Sequence, residues 1–301
     1  MTTIDLTPLQ LRVARDIVSY ARRENLKAGQ RMVESLLAEQ VGTSRSPVNA
    51  ALCYLGGLGV LAHDLNRGYV LECDAAKLHD IAQRIENEIE DPLYLRIAAD
   101  RLDRRLDDVV TETHLVRTYT TTRGTVRRVL SRIQQEGWIE KASGQGWTFQ
   151  PMIDSVEAYD ESYVFRTALE PTALTTAGFN ADLVEFSALR RQQAFIAKDG
   201  YQSMTEIELF ESNSDFHGTL AKWSGNRFIL QSVRRIDQLR RLVEYRQSRD
   251  RAPRRVAALE HILVLDAIAD NDLFKAATLL RAHLDRARRE KVFGAATPRQ
   301  H

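Results

Sequence analysis

Between residues 8 and 21 apolar side chains return every three or four positions, with Leu9, Val13, Ile17 and Tyr20 on one stripe. That period predicts an amphipathic helix. A second short helix is expected over 35–41. Gly42 stops it, because glycine enters the left-handed conformation that ends helices at little cost. Ser44 stands where an N-cap belongs, and Pro47 falls in the turn that follows, where its missing N–H does no harm. The third helix should run to about Leu55. Beyond Gly56, Gly57 and Gly59, the stretches 60–63 and 69–71 read as short strands joined by a turn over 64–68. Helix, helix, turn, helix and a two-stranded ribbon make a winged helix-turn-helix.

The same pattern then occurs again. Thr43-Ser44-Arg45-Ser46-Pro47-Val48 returns as Thr121-Thr122-Arg123-Gly124-Thr125-Val126, and the register holds without a gap from Leu37/Leu115 to Gly68/Gly146. A repeat of this length indicates duplication of a small folded unit. In the second copy helices are predicted over 93–106, 112–119 and, capped by Thr122, as far as about 135. Its ribbon follows from 138–140 and 146–149. From residue 154 onward the spacing is helical throughout: 159–174, 181–197, 204–223, 228–245, 256–269 and 274–287. Pro171 is expected to kink or divide the first of these. The fold is therefore mainly α, with two tandem winged helix-turn-helix domains (1–73 and 92–151), a partly helical linker at 74–91, an all-α bundle at 152–293 and a flexible tail at 294–301.

Composition changes this picture little. With 44% hydrophobic and 28% charged residues the chain is ordinary for a soluble protein. No apolar run is long enough to cross a bilayer, and the first residues lack the regions of a secretory signal. Cys53 and Cys73 have no metal-site spacing, so a disulfide framework is not expected and a cytoplasmic location is. The net charge of +1 says nothing about partners, but its distribution does. Residues 113–135 hold no acid, while Arg117, Arg123, Arg127, Arg128 and Arg132 are all there. Such a stripe either meets a polyanion or is a solvated helix face.

The first copy resembles the DNA-binding domain of the GntR family of bacterial transcription regulators. The matching pieces are Leu26-Lys27-Ala28-Gly29-Gln30-Arg31, the run from Glu34 to Val48, and Asn66-Arg67-Gly68-Tyr69-Val70. The second copy resembles the same domain more weakly, through Thr122-Arg123, Val126-Arg127, Gly137 and the glycines at 144 and 146. The helical block resembles the ligand-sensing FCD domain of the FadR branch, although two winged helices depart from the usual single copy. The resemblance implies an arginine after the cap and another one turn later, facing the major groove. Arginine suits guanine because its fork meets O6 and N7 together. The second copy has both, Arg123 and Arg127. The first keeps Arg45 and has Asn49 at the second place, which pairs with adenine instead. Ser44, Thr122, Arg31, Arg67, Arg117 and Arg128 are expected at phosphates or groove edges, and Arg132 at solvent or phosphate.

In FCD domains that bind a divalent cation, an Asp-x3-His pair joins two later histidines. Matching that motif selects Asn213, His217, His261 and His283, with a neutral amide where the acid usually stands. Imidazole nitrogens favour zinc or nickel over magnesium. Asp215 cannot substitute, because it lies about 200° round the helix from His217. Arg166 and Glu170 match an Arg-x3-Glu pair and serve either to clamp an effector carboxylate or as an intrahelical ion pair. The expected protein is not an enzyme. It is a homodimeric repressor on double-stranded operator DNA, tuned by a small carboxylate metabolite and a divalent metal, with no membrane partner. The competing class is a metal-dependent hydrolase whose winged helices contact protein, but no nucleophile motif accompanies the histidines.

Overall fold

A computed structural model describes residues 6–64, 68–89, 91–153, 155–247 and 251–292. Arg67, Asn66 and the tail at 294–301 lie outside these residues. The chain divides into two compact units, Met1–Glu90 with Gln202–Thr205, and Asp91–Tyr201 with Glu206–His301.

The first unit contains α1 (Pro8–Arg23), α2 (Glu34–Val41), α3 (Arg45–Gly57), β1 (Leu61–Asp64), β2 (Gly68–Leu71) and α4 (His79–Ile89). Val13, Ile17, Leu37, Val48, Leu52 and Leu55 form its core, whereas Leu9 of the same predicted stripe is exposed. The strands pair antiparallel from Leu61 with Leu71 to Asp64 with Gly68. Gly42 ends α2 in the left-handed region, as expected. Ser44 has the extended backbone of an N-cap, yet its hydroxyl makes no capping bond. Thr122, its counterpart, accepts from the Thr125 amide at 3.2 Å.

The linker at 74–91, expected to be partly helical, is helical through most of its length and packs into the first unit. Residues 75–89 are largely helical, and Leu78, Ala82 and Ile85 are buried in the first core, with α4 against α1. Each large aliphatic side chain so withdrawn from water contributes roughly 1.5–3 kcal/mol. The polar surface of the segment masks a single apolar face that only the packed structure uses.

The second unit opens with α5 (Pro92–Leu102), β3 (Val109–Val110), α6 (Glu112–Tyr119), α7 (Arg123–Gln135), β4 (Ile139–Lys141) and β5 (Trp147–Phe149). The first helix ends four residues before the predicted 106. Arg104, at φ 56°, turns the chain toward a third strand that the periodicity did not show. The sheet order is β3-β5-β4, with Val109 opposite Thr148. The first copy has an isolated bridge between Arg31 and Val70 at the equivalent register. Gly146 is required here: its φ is 120°, and a Cβ would come 2.6 Å from the Val110 carbonyl. Trp138 and Tyr94 are buried at the centre, with rings 5.5 Å apart.

Tyr119 ties α6 to α5 by donating to Asp100 at 2.7 Å, and Arg105 donates to the same carboxylate at 2.8 Å. Burial opposes ionisation of Asp100, but these two donors outweigh it and hold the carboxyl below its usual range. Tyr119→Phe is therefore expected to cost about 1–2 kcal/mol of stability near neutral pH. Because the folded pKa is depressed, this contribution is present above the unfolded aspartate pKa and fades as pH falls through the folded one. Urea titrations of both proteins at neutral and strongly acidic pH check this; a difference independent of pH counts against it.

The bundle follows: α8 (Val156–Leu174), α9 (Leu183–Phe195), a π-helical stretch Ile196–Gly200, α10 (Tyr201–Ser203), α11 (Glu206–Trp223), α12 (Arg227–Gln247), α13 (Ala252–Ala269) and α14 (Leu273–Val292). Pro171 lies inside α8 and does not divide it. It falls one turn from the end, so only the last turn lacks a backbone bond. Phe216, Leu220, Val264, Leu265, Leu280 and Leu284 lie in the bundle's core. No helix among the described residues is long and apolar enough to cross a membrane.

Candidate functional site

Three helices bring three histidines together inside this core. His217 comes from α11, His261 from α13 and His283 from α14, each no more than 3% exposed. One ring nitrogen from each lies within 4.8 Å of the others. The Nε2 atoms of His261 and His283 are 3.2 Å apart, and Nε2 of His217 has no hydrogen-bond partner. The opposite nitrogens are held from outside. Nδ1 of His261 is 2.9 Å from Oε1 of Gln193 on α9, and Nδ1 of His283 is 2.7 Å from the Glu260 carboxylate. Nδ1 of His217 is 2.6 Å from Glu170, at ion-pair distance though not aligned as a hydrogen bond. Holding the outer nitrogen fixes ring orientation and turns the inner lone pair toward the shared space.

Burial keeps all three rings neutral. It pushes the His217 pKa down to about 3 despite the Glu170 carboxylate, and sends His261 well below the usual value. His283 is lowered as well, with Glu260 opposing. Neutral imidazole is the form that ligates a metal. A cluster of uncharged nitrogens, one orphaned and two facing each other at 3.2 Å, fits a borderline divalent cation. Asn213 is half-buried one turn before His217, and among the described residues nothing hydrogen-bonds its amide. Asp215 is exposed and outside the cluster, as its angular position predicted.

Arg166 and Glu170 are both buried on α8, with Nε donating to Oε1 at 2.5 Å. Burial alone would raise the Glu170 pKa, but Arg166 and His217 hold it far below the carboxylate range. Glu170 thus bridges the arginine to the histidine cluster, while Nη2 of Arg166 is buried without a partner. Asp237 of α12 stands nearby. Burial pushes it up to about 7, against the pull of Arg166 and Arg240.

The third helix of each copy presents its polar face. Arg123 and Arg127 are exposed one turn apart on α7, and both approach Glu112 of α6, at 3.9 and 2.9 Å. On α3, Arg45 is exposed and Asn49 donates to Glu34 of α2 at 3.2 Å. Glu34 and Glu112 are equivalent in the repeat, so the same acid holds the equivalent side chains Asn49 and Arg127. Sequence reasoning did not single them out, although the repeat register carried the signal. Arg31, Ser44, Arg117 and Thr122 are exposed. Arg128 is paired with Asp91 at 2.8 Å. Arg132, expected at solvent or phosphate, instead donates to Glu136 and lies 3.8 Å from the Tyr94 ring centroid. Its role is packing, which the acid-free stripe concealed because Glu136 is just beyond it.

Residues 161–286 match the FCD domain family. The chain is 24% identical over 177 residues to the Nta operon transcriptional regulator of Aminobacter aminovorans, covering 59% of this chain and 81% of that protein. It is 22% identical over 130 residues to the HTH-type transcriptional regulator YdhC of Bacillus subtilis, covering 43% and 57%. Among solved structures it resembles Lar, described as controlling expression of the agr system of Listeria monocytogenes. That likeness has a TM-score of 0.57 at 14% identity, over 67% of this chain and 95% of the other, and it speaks to fold alone. The chain therefore carries an FCD domain and is similar to two transcriptional regulators.

Proposed function

We propose that this chain is a DNA-binding transcription regulator of the GntR type, FadR branch, whose two winged helices read an operator and whose FCD domain senses a small organic acid. The observation that carries the proposal is the pairing, in one chain, of an FCD domain with a helix that presents Arg123 and Arg127 side by side. Arg45 and Asn49 would read different bases from the first copy. Ser44, Thr122, Arg31 and Arg117, all exposed, would meet phosphates. A homodimer acting as a repressor would match the two-fold symmetry of an inverted repeat.

His217, His261 and His283 would hold a divalent metal, zinc or nickel rather than magnesium, with Asn213 as a neutral fourth donor. Such a metal supplies an open position where an effector carboxylate can bind. Arg166 has a buried guanidinium N–H to offer the same carboxylate, while Glu170 orients both Arg166 and His217. The carboxylates nearest the rings, Glu170 and Glu260, are committed to the outer imidazole nitrogens. A hydrolase would need one of them as a base, so the sensor role is favoured.

The test is fluorescence anisotropy with promoter fragments from the protein's own locus, with and without zinc and a panel of small carboxylates. Tight binding that weakens steeply with salt and shifts with one carboxylate is expected. Failure to bind any fragment at low salt overturns the proposal. Asn213→Asp should tighten zinc binding by on the order of tenfold, since a charged oxygen replaces a neutral one. Unchanged affinity in a competition titration would remove Asn213 from the ligand set.

A further inference from the structure

Helices α11 and α12 enclose an open cleft of about 330 Å³ that none of the three histidines lines. Gly218 forms part of its wall from within the 18-residue α11. Glycine inside a helix weakens it relative to alanine. Neither backbone conformation nor packing asks for one here, because a Cβ at 218 would meet nothing within 4 Å. The room it leaves opens into the cleft. One turn earlier Ser214 also lines the cleft, with its Oγ buried and without a hydrogen-bond partner. A buried hydroxyl left unsatisfied calls for a partner from outside the fold.

The cleft is lined by charges of both signs, with Lys222 (itself bonded to Glu185), Arg234 and Arg241 beside Glu211 and Asp215, while Asp237 is held closer to its neutral form by burial. A simple anion entering it would meet the carboxylates of Glu211 and Asp215, and a simple cation three basic groups. A small molecule carrying both charges satisfies both sets. Helix α12 also meets the end of α7. Arg235 donates to the backbone carbonyls of Glu136 and Gly137, at 2.9 and 2.5 Å, where α7 ends. Arg241, which lines the cleft, reaches the Glu136 carboxylate at 3.4 Å.

We propose that this cleft is a second effector site, for a small amino-carboxylate zwitterion, and that its occupation draws Arg241 away from Glu136 at the end of α7. The binding site stands on the geometry alone; only the regulatory meaning of the α7 response rests on the function proposed above. A ligand seen unequally by the two arrangements of Arg241 would shift their balance.

The test titrates the purified full-length protein with each proteinogenic L-amino acid by calorimetry, with acetate, methylamine and inorganic phosphate as single-charge probes. At least one amino acid should bind at one site per chain, at least tenfold tighter than the three simple ions. Gly218→Leu fills the cleft while removing a helix-interior glycine, and should weaken that binding at least tenfold. His261→Gln should leave it within twofold. With the amino acid present, amide exchange over 136–138 should quicken. The proposal is overturned if no amino acid binds, if simple ions bind equally well, or if binding survives Gly218→Leu. Loss of binding in His261→Gln would move the ligand to the histidine centre, and unchanged exchange would remove the link to α7. Neither readout uses DNA, so a missing operator complex would count against the regulator proposal and leave this one standing.

Discussion

Replacing His261 by alanine is expected to abolish stoichiometric zinc or nickel binding, and His217→Ala should do the same. Each change removes one of three nitrogens that the core has already turned inward, so little of the site can be rebuilt by a neighbour. The metal's contribution to stability goes with it. A ligand present at a hundred times its dissociation constant adds about 2.7 kcal/mol, so the melting temperature of the wild type should rise with metal and that of the variants should not. Gln193→Leu and Glu260→Leu keep all three rings but release the outer nitrogens of His261 and His283, and should weaken binding roughly 10–100-fold rather than abolish it. Elemental analysis and metal titration separate the two classes. Stoichiometric metal in both alanine variants would show that the centre lies elsewhere.

Removing both guanidinium forks of α7, Arg123→Ala with Arg127→Ala, should reduce discrimination among operator sequences more than any other pair of changes in the protein. A bidentate arginine–guanine contact is worth about 1–3 kcal/mol, so the pair should lose on the order of 10²–10⁴-fold in specificity. Both arginines must first leave Glu112. Exposed ion pairs of that kind contribute about 0–1 kcal/mol, so the base contact wins. Arg45→Ala, with Asn49 beside it, should cost less because the first copy offers one arginine rather than two. Competition binding with randomised operators measures the difference, and equal losses from the two copies would overturn the ranking.

Much of the fold could be read from spacing because helices and turns are local. The six helical stretches expected in the bundle, the two glycine-punctuated ribbons and the boundaries 112–119 of α6 depend on residues a few positions apart. Local patterning failed where a distant partner decided the outcome. Residues 75–89 look like a polar linker until α1 offers them a core, and β3 is two residues long, too short to show a period. The π-helical stretch at 196–200 has no local marker either.

The candidate site divides in the same way. His217, His261 and His283 were selected from the sequence by their match to the FCD motif, and Arg123 with Arg127 by the resemblance to the GntR DNA-binding domain. What the sequence left open was the set of partners: Gln193 is 68 residues from His261 in the chain, Glu260 is 23 from His283, and Arg235 is 98 from Gly137. The sequence by itself determined which segments of the bundle are helical, that one pattern of residues from 37 to 68 returns at 115 to 146, and which side chains carry nitrogen and guanidinium chemistry. Only the tertiary structure decided that three imidazoles share one buried space, that α4 belongs to a core, and that α12 touches both a cleft and the end of α7. Periodicity arises from bonds between near neighbours, whereas burial, orphaned donors and long-range pairing exist only once the chain has closed on itself.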